Sequence, residues 1–185
     1  MTIFHIKTPR TQVVLVQPGL AHLFNDYCNR NREHLAGWEP PRSEHYYSLA
    51  GACERISDVL EQFRQGRALP LVALDRDGQS MIATANISNI VRGVFQAAYL
   101  GYGLDLQYQG KGYMTEILLA AIPEIFTRLK LHRLMANYIP ENHRSGQVLK
   151  RVGFVEEGLA KNYLYINGKW QDHILTSKTN PDFQF

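Results

Sequence analysis

The sequence predicts an α+β fold, in which a mixed, mostly antiparallel sheet carries helices on its faces. Three apolar segments follow one another, with the turn signal Asp77-Gly78 between the first two, which is typical of an antiparallel meander. Near the C-terminus two further strand patterns surround Asn167-Gly168, a dipeptide that favours a two-residue hairpin. Between these regions a strand runs through a glycine turn into a helix.

Residues 11–64 are predicted to form one strand and two helices. Residues 11–16 are rich in β-branched side chains and predict a strand. Residues 20–31 predict a helix with its apolar side chains on one face. Residues 33–41 contain a tryptophan and two prolines and predict a structured loop. Residues 43–64 keep a helical apolar stripe, and Ser43 is the expected N-cap of that helix.

The meander is expected over residues 69–74, 81–90 and 94–106. The helix after the glycine turn is predicted to extend to about residue 130, and Pro123 is expected to kink it because proline removes one internal hydrogen bond. The strand that precedes the glycine turn is expected near the centre of the sheet.

The last quarter of the chain completes the pattern. Residues 133–139 predict a strand, and residues 142–151 predict a short helix that ends at Gly153. Residues 154–166 and 170–177 predict the closing hairpin. The predicted order is therefore β-α-α-β-β-β-α-β-α-β-β.

The composition is that of an ordinary globular protein. With 185 residues, the chain is expected to form a single domain over residues 1–185. A net charge of +3 suits anionic ligands but is not a nucleic-acid signature. Cys28 and Cys53 are isolated and indicate reduced thiols. No signal peptide or membrane span is expected, so the predicted location is the cytoplasm.

The stretch from residue 98 to residue 122 is the most informative part of the chain. An apolar and aromatic run breaks at Gly110 and Gly112 and then resumes with a helical period. This geometry directs backbone N–H groups and the positive end of a helix dipole to one spot, which suits a phosphate. The P-loop and the dinucleotide fingerprint are excluded, because the required Ser or Thr and the third glycine are missing.

Two motifs carry a family resemblance. Residues 109–114, QGKGYM, resemble the pattern Gln/Arg-x-x-Gly-x-Gly/Ala, which is the pyrophosphate loop of the GNAT acyltransferases, although Met114 departs from it. Asn142 and Ser145, followed by Gly153-Phe154, resemble the second GNAT element, Asn-x-x-Ser/Ala, a small helix and Gly-Phe. Two motifs at the expected separation are more specific than either alone. The resemblance implies the GNAT fold, with a strand splay that binds CoA.

Further segments narrow the resemblance. They are Trp38-Glu39-Pro40, NIVRG (89–93), YLGY (99–102), QGKG (109–112), MANY (135–138) and RSG (144–146). Together they resemble the RimJ type of ribosomal-protein-alanine N-acetyltransferase, over about residues 13–176. The resemblance implies acetyl transfer from acetyl-CoA to the α-amine of a protein N-terminus, in that family an alanine of a small-subunit ribosomal protein. It implies no metal, no membrane contact and no requirement for direct nucleic-acid binding.

The resemblance also implies where CoA binds. The pantetheine arm is expected to pair with the splayed strand near Gly103 and Leu104, and the Leu104 N–H to polarise the thioester carbonyl. Asn142 can hydrogen-bond this arm and cap the following helix. The residues expected to hold the pyrophosphate are Gln109, Gly110, Lys111, Gly112, Tyr113, Met114 and Thr115.

Attack of an amine on a thioester requires a deprotonated amine, correct positioning and a proton for the leaving thiolate. Related enzymes often place a tyrosine seven residues after the asparagine, where this chain has Leu149. Ser145 is the expected proton donor instead. Glu39, beside Trp38, is expected to receive the positively charged end of the acceptor. The candidates for the base remain Glu39, Glu116, Asp172 and His173.

Two alternative functions remain open from the sequence. The acceptor can be a small amine, such as an antibiotic or a polyamine, because the width of the acceptor cleft is not encoded in any local pattern. The chain can also be a CoA-binding module without catalysis, which the missing tyrosine favours.

Overall fold

The structure is a computed structural model, and it describes residues 4–185. Eight strands and five α-helices succeed one another along these residues. They are β1 (His5–Lys7), β2 (Thr11–Leu15), α1 (Ala21–Arg30), α2 (Arg32–Ala36), α3 (Leu49–Arg64), β3 (Leu69–Asp75), β4 (Met81–Val91), β5 (Ala97–Leu104), α4 (Tyr113–Leu129), β6 (Arg133–Tyr138), α5 (His143–Arg151), β7 (Val155–Ile166) and β8 (Lys169–Thr179).

The strands form one sheet in the order β1-β2-β3-β4-β5-β6-β8-β7. Strand β5 lies near its centre, as predicted, and its pairing with β6 is parallel while the other pairings are antiparallel. The predicted α+β class and the mixed, mostly antiparallel sheet are therefore confirmed.

The helices cover the two faces of this sheet. Helices α4 and α5 pack on one face, where Ile117, Leu118 and Leu149 are fully buried. Helices α1 and α3 pack on the other face through Tyr27 and Ile56. Strand β3 is buried along almost its whole length because it lies between both layers, which explains its uninterrupted apolar sequence.

Several element predictions were wrong in detail. The helix expected over residues 43–64 begins only at Leu49, because Ser48 is extended and its hydroxyl caps the helix by accepting from the Gly51 N–H. A separate 3-10 turn, Glu44–Tyr47, precedes it. The loop expected over residues 33–41 contains most of the short helix α2. Strand β1 was not predicted, since three residues are too few for a periodic pattern.

Pro123 lies inside α4, which continues to Leu129. The proline is on the exposed side of the helix, and so is Leu119, whose carbonyl loses the usual N–H partner. Water can therefore satisfy that carbonyl, which explains why the helix tolerates the proline.

A buried polar cluster joins α1 to the end of β5. The Asp105 carboxylate is 2% exposed and accepts hydrogen bonds from Arg30, from the Asn31 amide at 3.1 Å and from the Gln107 N–H at 3.0 Å. The Asn31 Oδ1 atom in turn accepts from the Leu106 N–H at 2.9 Å. This Asp105 cluster fixes the start of the loop that leads to α4.

Candidate active site

The sheet opens between β5 and β6. Their parallel pairing covers only Ala97–Tyr99 against Arg133–Met135, and beyond it the two strands separate. The Asp105 N–H donates to the Ile82 carbonyl of β4 at 2.8 Å. Because successive N–H groups of a strand point to opposite sides, the Leu104 N–H faces the gap. The predicted splay is confirmed, and it leaves a strand edge at Leu104 that an extended ligand can pair with.

The loop between β5 and α4 is shaped as an anion cradle. Gly110 and Gly112 have φ angles of 71° and 79°, in the left-handed region that favours glycine. The first hydrogen bond of α4 runs from the Glu116 N–H to the Gly112 carbonyl at 3.1 Å. The N–H groups of Tyr113, Met114 and Thr115 therefore precede the helical ladder and are available to a phosphate.

The side chains at the cradle and in the first turn of α4 differ in their surroundings. Met114 is 3% exposed and packs in the core, so its departure from the family pattern serves packing. The Thr115 hydroxyl is buried and has no hydrogen-bond partner among residues 4–185. The Lys111 ammonium folds back onto the Gln107 carbonyl at 2.8 Å, so it lies against its own loop.

Arg10 braces the cradle from a distant part of the sequence. Its Nη1 donates to the Lys111 carbonyl at 2.9 Å, and its guanidinium lies 4.0 Å from the centre of the Tyr113 ring. Its Nε pairs with Glu116 Oε2 at 2.6 Å, and the other carboxylate oxygen accepts from the Thr8 hydroxyl at 2.7 Å. Burial raises the pKa of Glu116, but these hydrogen bonds outweigh it and the net pKa is lowered. Glu116 is thus a structural carboxylate.

A second bridge links the cradle to the helices on both faces of the sheet. The Gln109 side chain accepts from Arg144 Nη1 of α5 at 2.5 Å and donates to His34 Nε2 of α2 at 2.7 Å. No sequence pattern predicted a role in the site for Arg10, His34 or Arg144. Their partners are 35 to 106 residues away along the chain, so no local pattern signals these contacts.

On the other side of the gap, the N-terminus of α5 presents Asn142 and Ser145. Asn142 Oδ1 accepts from the Ser145 N–H at 3.1 Å, so the predicted cap is present and the Asn142 NH₂ group remains available. The Ser145 Oγ lies 2.7 Å from the Tyr102 hydroxyl, which also donates to the Ser145 carbonyl at 3.0 Å. Burial raises the pKa of Tyr102. Tyr102 was not predicted as a site residue. Leu149 is a core residue.

A cleft of about 160 Å³ passes through the gap. It brings together residues that are far apart in the sequence, from α2 and its following loop, β5, β6, α5 and β8. They include Trp38, Glu39, Tyr102, Asn137, Asn142, Ser145 and His173. The predicted acceptor residues and the predicted proton donor therefore border one space, whereas the glycine cradle lies at the far end of β5.

The strand registers assign the cleft walls to opposite faces of the sheet. A Cβ at Gly103 would point to Tyr27 and Leu35, which identifies its face as the one covered by α1 and α2. Residues on adjacent strands that pair directly share a face, so Asn137 and His173 belong to this face as well. Tyr102 and Ser145 lie on the α5 face. The gap therefore connects the face that carries Asn137 and His173 with the face that carries the Tyr102 and Ser145 hydroxyls.

The four candidate bases differ in their partners. Glu116 is held by Arg10, and Asp172 by Lys161 at 2.7 Å, which lowers the pKa of Asp172. Neither of these two carboxylates borders the cleft. Glu39 and His173 do border it, and Glu39 also pairs with Arg42 at 3.3 Å.

Within residues 4–185 no group of three or more His, Cys, Asp or Glu side chains is arranged to hold a metal ion. Over the same residues, no helix combines the length and the apolar character that crossing a bilayer requires.

Comparisons with known proteins agree with this geometry. The sequence matches the family described as Acetyltransferase (GNAT) domain over residues 13–155. It is 44% identical to the [Ribosomal protein uS5]-alanine N-acetyltransferase of Escherichia coli, over 96% of this chain and 92% of that protein.

Two solved structures are also similar. The ribosomal-protein-S5-alanine acetyltransferase of Vibrio fischeri has a TM-score of 0.93 at 42% identity, over 98% of this chain and 99% of that chain. Mycobacterium smegmatis RimJ, solved in complex with CoA-disulfide, has a TM-score of 0.88 at 30% identity, over 96% and 86% of the two chains. The chain belongs to the GNAT acetyltransferase family and, within it, to the RimJ type.

Proposed function

We propose that this chain transfers the acetyl group of acetyl-CoA to the N-terminal α-amine of a protein. The acceptor is an N-terminal alanine of a small-subunit ribosomal protein, and the reaction takes place in the cytoplasm within a single domain. The observation that carries the proposal is the cleft through the sheet gap, with Ser145 on one face and Trp38 and Glu39 on the other. The identity to the uS5-alanine enzyme of E. coli supports the choice of acceptor.

The residues of the gap fit acetyl-CoA. The pantetheine arm pairs with the open edge of β5 at Gly103 and Leu104, and the Asn142 NH₂ group donates to it. The amides between Gln109 and Thr115 hold the pyrophosphate. Two glycines with positive φ keep the cradle clear of side chains.

The gap lets the two substrates meet from opposite faces. The thioester lies between the strands with its sulfur on the Ser145 side, and the Leu104 N–H stabilises the oxyanion that develops on the carbonyl. The acceptor amine approaches from the Trp38 side, where the Glu39 carboxylate attracts its positive charge. No covalent enzyme intermediate is needed, because the amine attacks the thioester directly.

Ser145 is the proton donor to the leaving thiolate. Its hydroxyl can be reprotonated by Tyr102, whose oxygen is 2.7 Å away. Replacing Ser145 by alanine is expected to lower kcat by roughly 100-fold, the lower end of the range for general acid catalysis, with little change in KM for acetyl-CoA. Steady-state kinetics with Ser177→Ala as the matched control tests this, since Ser177 contacts Glu157 and lies outside the cleft. A Ser145→Ala enzyme with the wild-type kcat would assign the proton to another group.

The acceptor class is tested by turnover of acetyl-CoA with short peptides that begin with Ala, Ser or Met. The product is located by mass spectrometry. We expect acetylation of the N-terminal amine of the Ala peptide, and none when that amine is blocked beforehand. Turnover of spermidine without turnover of any peptide would indicate a small-amine acetyltransferase. Binding of acetyl-CoA without any turnover would indicate a CoA-binding module.

A further inference from the structure

We propose that His173 is the general base of this reaction and takes the proton from the acceptor amine. This inference rests on the proposed function and adds the catalytic group that the sequence left undecided. The first observation is the location of His173. His173 is 3% exposed, yet it borders the cleft together with Trp38, Glu39 and Ser145. It lies on the sheet face from which the acceptor enters, opposite the face of the proton donor.

The hydrogen bonds of the ring fix which nitrogen can accept a proton. His173 Nδ1 lies 3.1 Å from the Gln171 carbonyl oxygen. A carbonyl only accepts, so Nδ1 carries the hydrogen, and the neutral ring presents an unprotonated Nε2. Within residues 4–185 no other group hydrogen-bonds to this ring. An imidazole that borders a substrate cleft with Nε2 uncommitted is arranged to accept a proton.

The ring is also held in orientation. The Tyr163 ring packs against it, with 5.4 Å between the ring centres. The Tyr163 hydroxyl accepts from the Asn137 amide at 3.1 Å and lies 3.4 Å from the Tyr99 hydroxyl. Residues of β5 and β6 thus hold the Tyr163 side chain in place, and Tyr163 in turn orients the His173 ring.

An irregularity in β7 brings Tyr163 to this place. The register between β7 and β8 shifts between Ala160 and Leu164, and Asn162 has a φ of 49°. Asp172 stabilises the bulge by accepting from the Asn162 N–H at 2.9 Å and from the Lys161 ammonium. β-Bulges next to active sites change the direction in which side chains point. Here the register shift places the Tyr163 ring against His173. The Asp172 carboxylate is therefore a positioning group.

Glu39 is the competing base, since it borders the same cleft. It pairs with Arg42, and its side chain is 36% exposed. The Glu39 Oε2 atom is thus already engaged by the Arg42 guanidinium, whereas His173 Nε2 has no hydrogen-bond partner within residues 4–185. The charge of Glu39 attracts the acceptor, whereas the buried imidazole removes the proton.

The step balances as follows. The acceptor arrives as an ammonium and loses one proton to water, which makes it a neutral amine. Its nitrogen lone pair then forms the N–C bond to the acetyl carbon, and a second proton of that nitrogen passes to His173 Nε2. The C–S bond breaks with its electron pair going to sulfur, which takes a proton from the Ser145 and Tyr102 hydroxyls. The products are the acetylated amine, free CoA, an imidazolium at His173 and a Ser145–Tyr102 pair that lacks one proton. The imidazolium gives its proton to water, and water returns one to the hydroxyl pair, so the enzyme is regenerated.

The test compares His173→Ala, His173→Gln and Glu39→Gln with wild type, using an Ala peptide and acetyl-CoA. His132→Gln is the matched control, because His132 is an exposed histidine that contacts Phe183, outside the cleft. Thermal melting and calorimetry with acetyl-CoA establish that each variant folds and binds. We expect both His173 variants to lose about 100-fold or more in kcat, with acetyl-CoA affinity unchanged. Added imidazole should restore peptide acetylation to His173→Ala, which a merely structural role would not permit.

Two results would overturn the inference while leaving the proposed function intact. One is a His173→Gln enzyme with the kcat of wild type. The other is a loss in His173→Ala that imidazole does not restore, together with an equal or larger loss of kcat in Glu39→Gln, which would make Glu39 the base. Absence of peptide turnover by both wild type and His132→Gln would instead contradict the proposed function and this inference with it.

Discussion

Replacing Gly112 by valine should weaken the binding of acetyl-CoA by at least about 100-fold. Gly112 has a φ of 79°, a conformation that a β-branched residue avoids. Relaxation of this strain moves the N–H groups of the cradle away from the pyrophosphate. Hydrogen bonds to charged groups contribute roughly 1.5–3 kcal/mol each, and a loss of about 1.4 kcal/mol is tenfold in affinity. Two misplaced N–H groups therefore account for the expected effect, which calorimetry with acetyl-CoA measures.

Gly168→Val is a closely matched control. Gly168 also has a φ of 79°, but it lies in the turn between β7 and β8, outside the cradle. Both variants should lose stability through backbone strain, whereas only Gly112→Val should lose affinity for acetyl-CoA. Equal affinities in the two variants would show that the cradle does not hold the cosubstrate.

Replacing Asp105 by alanine is expected to destabilise the fold by about 2–4 kcal/mol, because buried donors without an acceptor cost roughly 1–3 kcal/mol each. The substitution removes the acceptor of the buried Asn31 amide and of the Gln107 N–H. Arg30 also loses its ion-pair partner, but water can hydrate its guanidinium because that side chain is 38% exposed, so this loss destabilises the fold less. Urea denaturation measures the change.

Asp172→Ala provides the comparison for Asp105→Ala, because Asp172 is partly exposed and holds only Lys161 and the Asn162 N–H of the β7 bulge, both on exposed residues. Its denaturation midpoint should change far less. Since the Asp105 cluster leads into the cradle, Asp105→Ala should also weaken acetyl-CoA binding. A denaturation midpoint as high as that of Asp172→Ala would show that the cluster is not a structural hub.

The sequence predicted the parts of this protein that depend on local patterns. The two glycines of the cradle, the Asn142 cap and the closing hairpin at Asn167-Gly168 each require particular residues at neighbouring positions, so they are visible in a linear chain. The family resemblance added the splay between β5 and β6, which no periodicity reveals.

What the sequence did not predict depends on long-range contacts. Arg10 reaches a loop 101 residues away, and Tyr102 meets Ser145 across 43 residues. The general base could not be chosen from the sequence among Glu39, Glu116, Asp172 and His173. Only the folded structure shows which of these carboxylates form ion pairs and which residues border the cleft. The late start of α3, at Leu49 after the Ser48 cap, was missed because Ser43 is an equally good cap by composition.

The most direct test of the central claim is a crystal structure with a bisubstrate analogue, in which coenzyme A is joined through an acetyl spacer to the amine of an Ala peptide. We predict the pyrophosphate on the N–H groups between Gly110 and Thr115, the pantetheine along Leu104, and the peptide on the Trp38 side of the gap. The linked nitrogen should lie within hydrogen-bond reach, about 3 Å or one water, of His173 Nε2. An analogue bound elsewhere, or with the peptide on the Ser145 side, would contradict acetyl transfer through the opened sheet.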